Sequence, residues 1–264
     1  MIKEKITIAL ATVMVMATSC GRQQNDAPTA DSGLASAVSM VSGQGGETLQ
    51  DSTIYGLACD GCNDTVMVFL RMPYTGSDPD TLNILEASHQ HRVFGTPMIG
   101  DRLAIMRNSA DTTKADQVIV VEDLLGLWCY KVHPTLRQRA DMEGQSVSQS
   151  INQLPDSIRK LLDVEREYGM TIKNDSVVYP HGMQWGATTT DEETPIEYPR
   201  LKHYFVWYIH NGQLILTETA RDSLGNIHTT NVDTAAIAKL DNDTLVLRFA
   251  DGEQSYYHKD EAAD

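Results

Sequence analysis

Tight-turn signals constrain this chain more than any other feature. Asn174-Asp175, Asn211-Gly212, Asp241-Asn242-Asp243 and Asp251-Gly252 recur at short intervals through the second half. Each is the composition of a hairpin turn, where positive φ favours Asn, Asp and Gly. Between them lie apolar-polar alternations too short for helices. They predict strands at Met170–Lys173, Val177–His181, Gln184–Thr189, Leu201–His210, Gln213–Ala220, Ile227–Lys239, Thr244–Phe249 and Gln254–His258. With the apolar run around Trp128 this makes about nine short antiparallel strands, the arithmetic of a barrel. One helix is predicted over Asp156–Tyr168, with Pro155 before it, Gly169 after it, and Ile158, Leu161, Leu162 and Tyr168 on one stripe.

Alternation says which side chains face inward. Leu201, His203, Phe205, Trp207 and Ile209 share one face, and Leu245, Leu247 and Phe249 oppose Val246 and Arg248. Two readings of that inner face stay open: a packed barrel core, or a cavity bordered by Trp128, Trp185, Phe205 and Trp207 that holds one small apolar ligand.

Residues 51–121 predict a smaller β unit. Strands are expected at Thr53–Ala58, Thr65–Arg71, Thr81–Ala87, Arg102–Arg107 and Gln117–Val121, with no helix of useful length. Five short strands at hairpin spacing suggest a small barrel of the OB or SH3-like kind. Val66, Val68 and Leu70 alternate with Met67 and Phe69, so the second strand is apolar on both faces and belongs inside a covered sheet. Cys59-Asp60-Gly61-Cys62 flanks a predicted turn. A disulfide between Cys59 and Cys62 is the plain expectation. Half a metal site completed by His89 and His91, or a redox pair, are the alternatives.

The front of the chain has no aromatic residue before Tyr55. Lys3 and Lys5 precede an uncharged apolar segment, Ile6 to Ala17, too short to span a bilayer, which needs about 20 residues. That is the pattern of a secretory signal over residues 1–19. Ala17-Thr18-Ser19-Cys20 resembles the lipobox of bacterial lipoproteins, with Ala17 where Leu is usual. The resemblance implies acylation of Cys20 (palmitate among its chains) and anchoring to a lipid bilayer. The absence of Asp directly after Cys20 implies the outer membrane by the sorting rules of that family. Residues 20–50, rich in Ser and Gly, read as a flexible tether.

From residue 122 to 264 the chain is similar to lipocalin-like domains. Gly126-Leu127-Trp128 resembles the lipocalin opening motif, whose Trp closes one end of an eight-stranded barrel. Together with the lipobox, the chain resembles lipocalin-like lipoproteins of Gram-negative anaerobes, and the resemblance implies a membrane-anchored envelope protein binding a small apolar ligand. The alternative is a non-catalytic structural or interaction lipoprotein of the envelope. A weaker one is thiol or metal handling through Cys59 and Cys62. No G-x-S-x-G, HExxH or P-loop is present, so no catalytic residue, resident metal or cofactor is expected. A net charge of −15 argues against nucleic acid as partner. Cys129 reads as a buried thiol. Asp followed by Ser or Thr and then an apolar residue or Thr occurs nine times, from Asp51 to Asp243. This pattern fits turn-to-strand chemistry and also resembles an O-glycosylation sequon of exported proteins.

Overall fold

The computed structural model describes residues 51–137, 149, 151–152, 154–182, 196–224 and 227–260. The expected signal, tether, Cys20, Trp185 and the strand over 184–189 lie outside the described residues. The chain is mainly β, as the turn spacing predicts. No helix among the described residues is long and apolar enough to cross a membrane.

The first unit is a six-stranded sheet of β1 (Thr53–Ala58), β2 (Val66–Arg71), β3 (Asp80–Asn83), β4 (Val93–Phe94), β5 (Arg102–Arg107) and β6 (Ala115–Val120), in the order β3-β2-β1-β5-β6-β4. The apolar β2 lies between β1 and β3, with Met67 and Phe69 fully buried. Asn83 at the end of β3 forms a parallel bridge to Lys114, and its N–H donates to the Thr113 carbonyl at 2.9 Å. The sheet thereby curls toward closure.

A five-residue helix, Leu85–His89, occupies part of the strand expected over Thr81–Ala87. The reason is local: the Asn83 side chain accepts the Leu85 N–H at 3.0 Å, an Asx turn that takes the chain out of the ladder. Ala87 then packs inward.

The second unit begins with a 3₁₀ turn, Glu122–Leu124. It runs through β7 (Gly126–Val132), β8 (Thr135–Leu136), β9 (Arg166–Ile172), β10 (Val178–His181), β11 (Ile196–Glu197), β12 (Val206–His210), β13 (Gln213–Arg221), β14 (Ile227–Leu240), β15 (Thr244–Phe249) and β16 (Gly252–Lys259). β8 and β11 pair only with each other. The other eight strands form an antiparallel sheet in the order β10-β9-β7-β16-β15-β14-β13-β12. Its edges meet where Val177 bridges Val206, Val178 N–H donates to Phe205 O at 3.0 Å and Trp207 N–H donates to Ser176 O at 2.9 Å. The sheet is a nearly closed barrel.

Two expectations are corrected here. The helix over Asp156–Tyr168 is only a helical turn, Asp156–Arg159, followed by a 3₁₀ turn, Lys160–Asp163. Tyr168 instead lies in β9 opposite Tyr130, so long-range pairing overrides the local stripe. The strand over Leu201–His210 starts only at Val206. Leu201 to Phe205 therefore do not continue its alternation: Tyr204 is buried and Phe205 only half-buried.

One core joins the two sheets. Phe94, Ala104, Ile119, Val121 and Leu124 belong to the same buried cluster as Trp128, Trp207, Ile209, Leu214 and Leu240. The Asn211-Gly212 turn between β12 and β13 docks into the small sheet. Asn211 Oδ1 accepts from Ser52 N–H at 2.8 Å and from Ser52 Oγ at 2.7 Å. Asn211 N–H donates to Asp51 Oδ1 at 2.9 Å, and Gln117 Nε2 donates to Gly212 O at 2.6 Å. Tyr55 OH donates to Ile209 O at 2.7 Å. Gly212, at φ +69°, is the residue this turn needs, and a Cβ there would come within 2.6 Å of Met106 Cγ. Arg102 fixes the linker between the sheets by donating from its backbone N–H (2.6 Å) and from Nε (2.7 Å) to the Glu122 carboxylate.

Candidate functional site

The barrel has two unlike ends. At the end that meets the small sheet, Trp128 is buried and donates from Nε1 to Leu124 O at 2.9 Å. The His258 ring stands edge-on to it, with centroids 4.9 Å apart. Gly126 begins the strand at φ +124°, and a Cβ there would meet His258 Nε2 at 2.4 Å. Gly and Trp are thus needed two residues apart, because the imidazole packs over both. Trp207 is equally buried, with Nε1 donating to Lys173 O at 2.8 Å. Trp128 and Trp207 are packed core. Neither they nor Phe205 line the pocket at the barrel's other end, and both Trp residues belong to the buried cluster.

Two residues further along β7 the interior opens. A pocket of about 280 Å³ lies at the other mouth, with Tyr130, Met170, Tyr204, Phe249 and Tyr256 as its apolar wall. Its rim carries Arg200, Lys202, Asp251 and Glu253, with Gln254 between rim and wall. The Tyr130 ring stands edge-on to both Tyr168 and Tyr256. Tyr204 OH donates to Asp233 Oδ2 at 2.5 Å, and Lys202 Nζ donates to the same oxygen at 3.0 Å. Burial and then the Asp233 carboxylate push the Tyr204 phenol far up. Burial opposes the charge on Asp233, but hydrogen bonds from Tyr204 and Lys202 outweigh it and hold its pKa below the ordinary value. Tyr256 is pushed up chiefly by burial. The wall is therefore neutral and aromatic at physiological pH, and the charge sits at the rim.

A second cluster lies on the outer wall. Trp128, Met170 and Tyr256 face the core, so their strand neighbours face outward. Cys129 pairs with both Tyr257 and Gly169, and Gly169 pairs with His181, so these four lie in one row across β16, β7, β9 and β10. Glu167 reaches into the row from β9. Its Oε1 accepts from Lys259 Nζ at 2.6 Å and lies 3.2 Å from His181 Nε2, while its Oε2 accepts from Tyr257 OH at 2.5 Å. Hydrogen bonds from Lys259 and Tyr257 hold the Glu167 carboxyl down to about 2. Burial and the nearby Glu167 charge push the Cys129 thiol up to about 11, and Tyr257 is pushed up to about 12 chiefly by its bond to Glu167. One donor atom each from Cys129, Glu167 and His181 lies within 4.8 Å of the other two. Cys129 is buried as expected. The role of its neighbours is invisible in the sequence, because 38 to 130 residues separate them from Cys129 and only the ladder brings them together.

The expected disulfide is corrected. Cys59 and Cys62 are free thiols on either side of a turn through Gly61 at φ +96°. Each sulfur has its own partners. Cys59 Sγ donates to Leu57 O at 3.6 Å, whereas Cys62 Sγ lies 3.2 Å from the Cys59 and Val68 carbonyls and accepts the Val68 N–H at 3.4 Å. His89 and His91 do not share a strand face. His89 ends the short helix and His91 sits at φ +54°, both exposed.

Several of the recurring Asp residues act in turns. Asp51 accepts the Thr53 N–H, Asp111 accepts both the N–H and the hydroxyl of Thr113, and Asp222 accepts the Leu224 N–H. These Asx turns end one element and start the next.

No protein-family model matches this chain, and no curated protein and no solved structure matches it either.

Proposed function

We propose that this protein is a small-molecule binding protein of the cell envelope, whose ligand enters the open mouth of the large barrel. One observation carries the reading: the barrel buries Trp128 and Trp207 in its core yet leaves about 280 Å³ between Tyr130, Met170, Tyr204, Phe249 and Tyr256. Barrel mouths are a preferred place for ligand sites, and this volume is near the lower end of their usual range of roughly 300–1,000 Å³. It suits a compact molecule with a ring or short apolar body rather than a whole lipid. The mixed-charge rim of Arg200, Lys202, Asp251 and Glu253 favours a polar group at the ligand's exposed end. The lipobox-like Ala17-Thr18-Ser19-Cys20 supports anchoring of the chain to the outer membrane through acylated Cys20. Binding rather than catalysis is the proposed activity.

Anilinonaphthalene sulfonate, an apolar dye with a polar head, is a suitable probe. The full chain should enhance its fluorescence saturably, and Gln254→Trp, which inserts an indole at the mouth, should abolish the enhancement. Equal enhancement by both proteins would overturn the pocket reading. Intact-mass analysis of the protein from its native host tests the anchor, because acylation adds mass at Cys20 and an unmodified chain would refute it. A structural or interaction role is the second reading. Leu224 (84% exposed), Ile227 (63%) and Val232 (44%) favour it, as they leave an apolar edge on the β13–β14 hairpin.

A further inference from the structure

We propose that Cys129, Glu167 and His181 form a binding site for a zinc-class divalent cation, with three protein donors and a fourth position left to water. None of the three donors lines the mouth pocket, and the site does not depend on the ligand-binding reading.

Donor identity is the first argument. Thiolate, imidazole and carboxylate are the side chains that zinc takes, and three of them with one open position is the pattern of an accessible zinc site. A divalent cation would hold the Cys129 sulfur as thiolate and take over from Lys259 the balancing of the Glu167 carboxylate.

Geometry is the second. Bonds of 2.0–2.3 Å in a tetrahedral site put donors about 3.3–3.8 Å apart. The three atoms here already lie within 4.8 Å of one another, so closure needs a contraction of about 1 Å. The row Cys129–Gly169–His181 has no side chain at its centre, because Gly169 separates the two outer donors. Gly169 is also obligatory, since a Cβ there would lie 2.3 Å from Trp128 O. Cys129 is buried, but the side chains of Glu167 (31%) and His181 (35%) are partly exposed, which gives an ion a way in and water a place as fourth donor.

Support behind the donors is the third. Tyr257 OH holds Glu167 Oε2 and leaves Oε1 turned toward His181, the arrangement in which an outer hydrogen bond orients a ligating carboxylate. Lys259 occupies Oε1 in the cation's stead, on a side chain that is 46% exposed. On binding, the ammonium swings into water, the Cys129 thiol gives its proton to solvent, and Glu167 and His181 coordinate through oxygen and nitrogen. Apart from the S–H bond of Cys129, whose proton leaves to solvent, no covalent bond within the chain is made or broken. The bound ion would join β7, β9 and β10, the strands next to the barrel's seam.

Cobalt(II) is the probe, titrated into the full chain carrying Cys20→Ser, Cys59→Ser and Cys62→Ser, so that Cys129 is the sole thiol. A near-ultraviolet thiolate-to-cobalt charge-transfer band with tetrahedral visible bands should saturate at one equivalent, and zinc should displace it. His181→Ala and Glu167→Gln should each weaken binding at least about tenfold, and Tyr257→Phe should weaken it by a similar order through lost orientation. Lys259→Met removes the competing ammonium and should tighten binding, which loss of a merely structural ion pair would not do. Circular dichroism of each variant confirms that it is folded. Absence of the charge-transfer band, or a band unchanged by both His181→Ala and Glu167→Gln, would overturn the proposal.

Discussion

The two ends of the large barrel are built from the same strands and reach opposite outcomes within two residues. On β7, Trp128 faces inward and is sealed by Leu124, Gly126 and His258, whereas Tyr130 faces inward and borders the pocket. On β16, His258 packs at the sealed end and Tyr256 at the open one. The difference lies in what covers each end. The small sheet supplies Phe94 and Ile119 to the sealed end and the linker after it adds Val121 and Leu124, while the described residues that border the mouth include short turns and a charged rim. An eight-stranded barrel can be filled by its own side chains or hold one small ligand. Here one end takes each course, and the docked neighbour decides which.

Substitutions test this contrast most sharply at the sealed end. Trp128→Ala should cost about 3–5 kcal/mol of stability, measured as a shifted denaturant midpoint. A loss below about 1 kcal/mol would mean that this end is not filled as described. Asn211→Ala removes the acceptor of Ser52 N–H and Oγ and should cost about 1–2 kcal/mol. A near-zero effect would detach the small sheet from the barrel's closure.

At the mouth the expected effects are smaller and dependent on conditions. The pKa of Asp233 is held below its ordinary value of 3.8, so its folded form releases its proton more readily than its unfolded form. That contribution is fully present above the ordinary value and fades as pH falls below about 4. The stability gap between wild type and Asp233→Asn, measured by denaturant unfolding, should therefore be larger at about pH 7 than at about pH 3. A gap that grows on acidification would reverse the assignment. Gln254→Trp should change stability by no more than about 0.5 kcal/mol while closing the pocket to dye. A cost comparable to that of Trp128→Ala would erase the distinction between the ends. Cys59→Ser with Cys62→Ser should shift stability least, within about 0.5 kcal/mol in the absence of reductant, because no disulfide joins these thiols. A loss of about 2 kcal/mol or more would show a bridge.

Much of the fold was legible because its signals are local. Thr53–Ala58, Arg102–Arg107 and Thr244–Phe249 form strands over the predicted spans, and Asn211-Gly212 makes its turn with both residues at positive φ. The Leu85–His89 helix was missed through a local Asx turn, whereas the other failures of the fold reading come from pairing between distant residues. Ile158, Leu161, Leu162 and Tyr168 look like a helical stripe, yet Tyr168 is claimed by Tyr130 across the ladder and Leu161 is 40% exposed. Alternation counted from Leu201 placed Phe205 inside, but the strand begins at Val206 and Tyr204 takes the inward position. The candidate sites were hidden for the same reason. Tyr130, Met170, Tyr204 and Tyr256 meet only when β7, β9 and β16 are in register, and the Cys129–Glu167–His181 cluster depends on the same pairing. The aromatic residues most conspicuous in sequence, Trp128 and Trp207, are those that the core absorbs.

The docked Asn211-Gly212 turn has a kinetic consequence. Tyr55 on β1 meets Ile209 across 154 residues of chain, and Ser52 meets Asn211 across 159. Synthesis delivers the small sheet long before the hairpin that covers it. Until β12 and β13 emerge, Phe94, Ala104 and Ile119 have no partner for the face they later bury. Contacts of such sequence separation form slowly, because loop closure precedes the reward. Until that hairpin docks, the small sheet keeps an uncovered apolar face, the kind of surface through which incomplete chains self-associate.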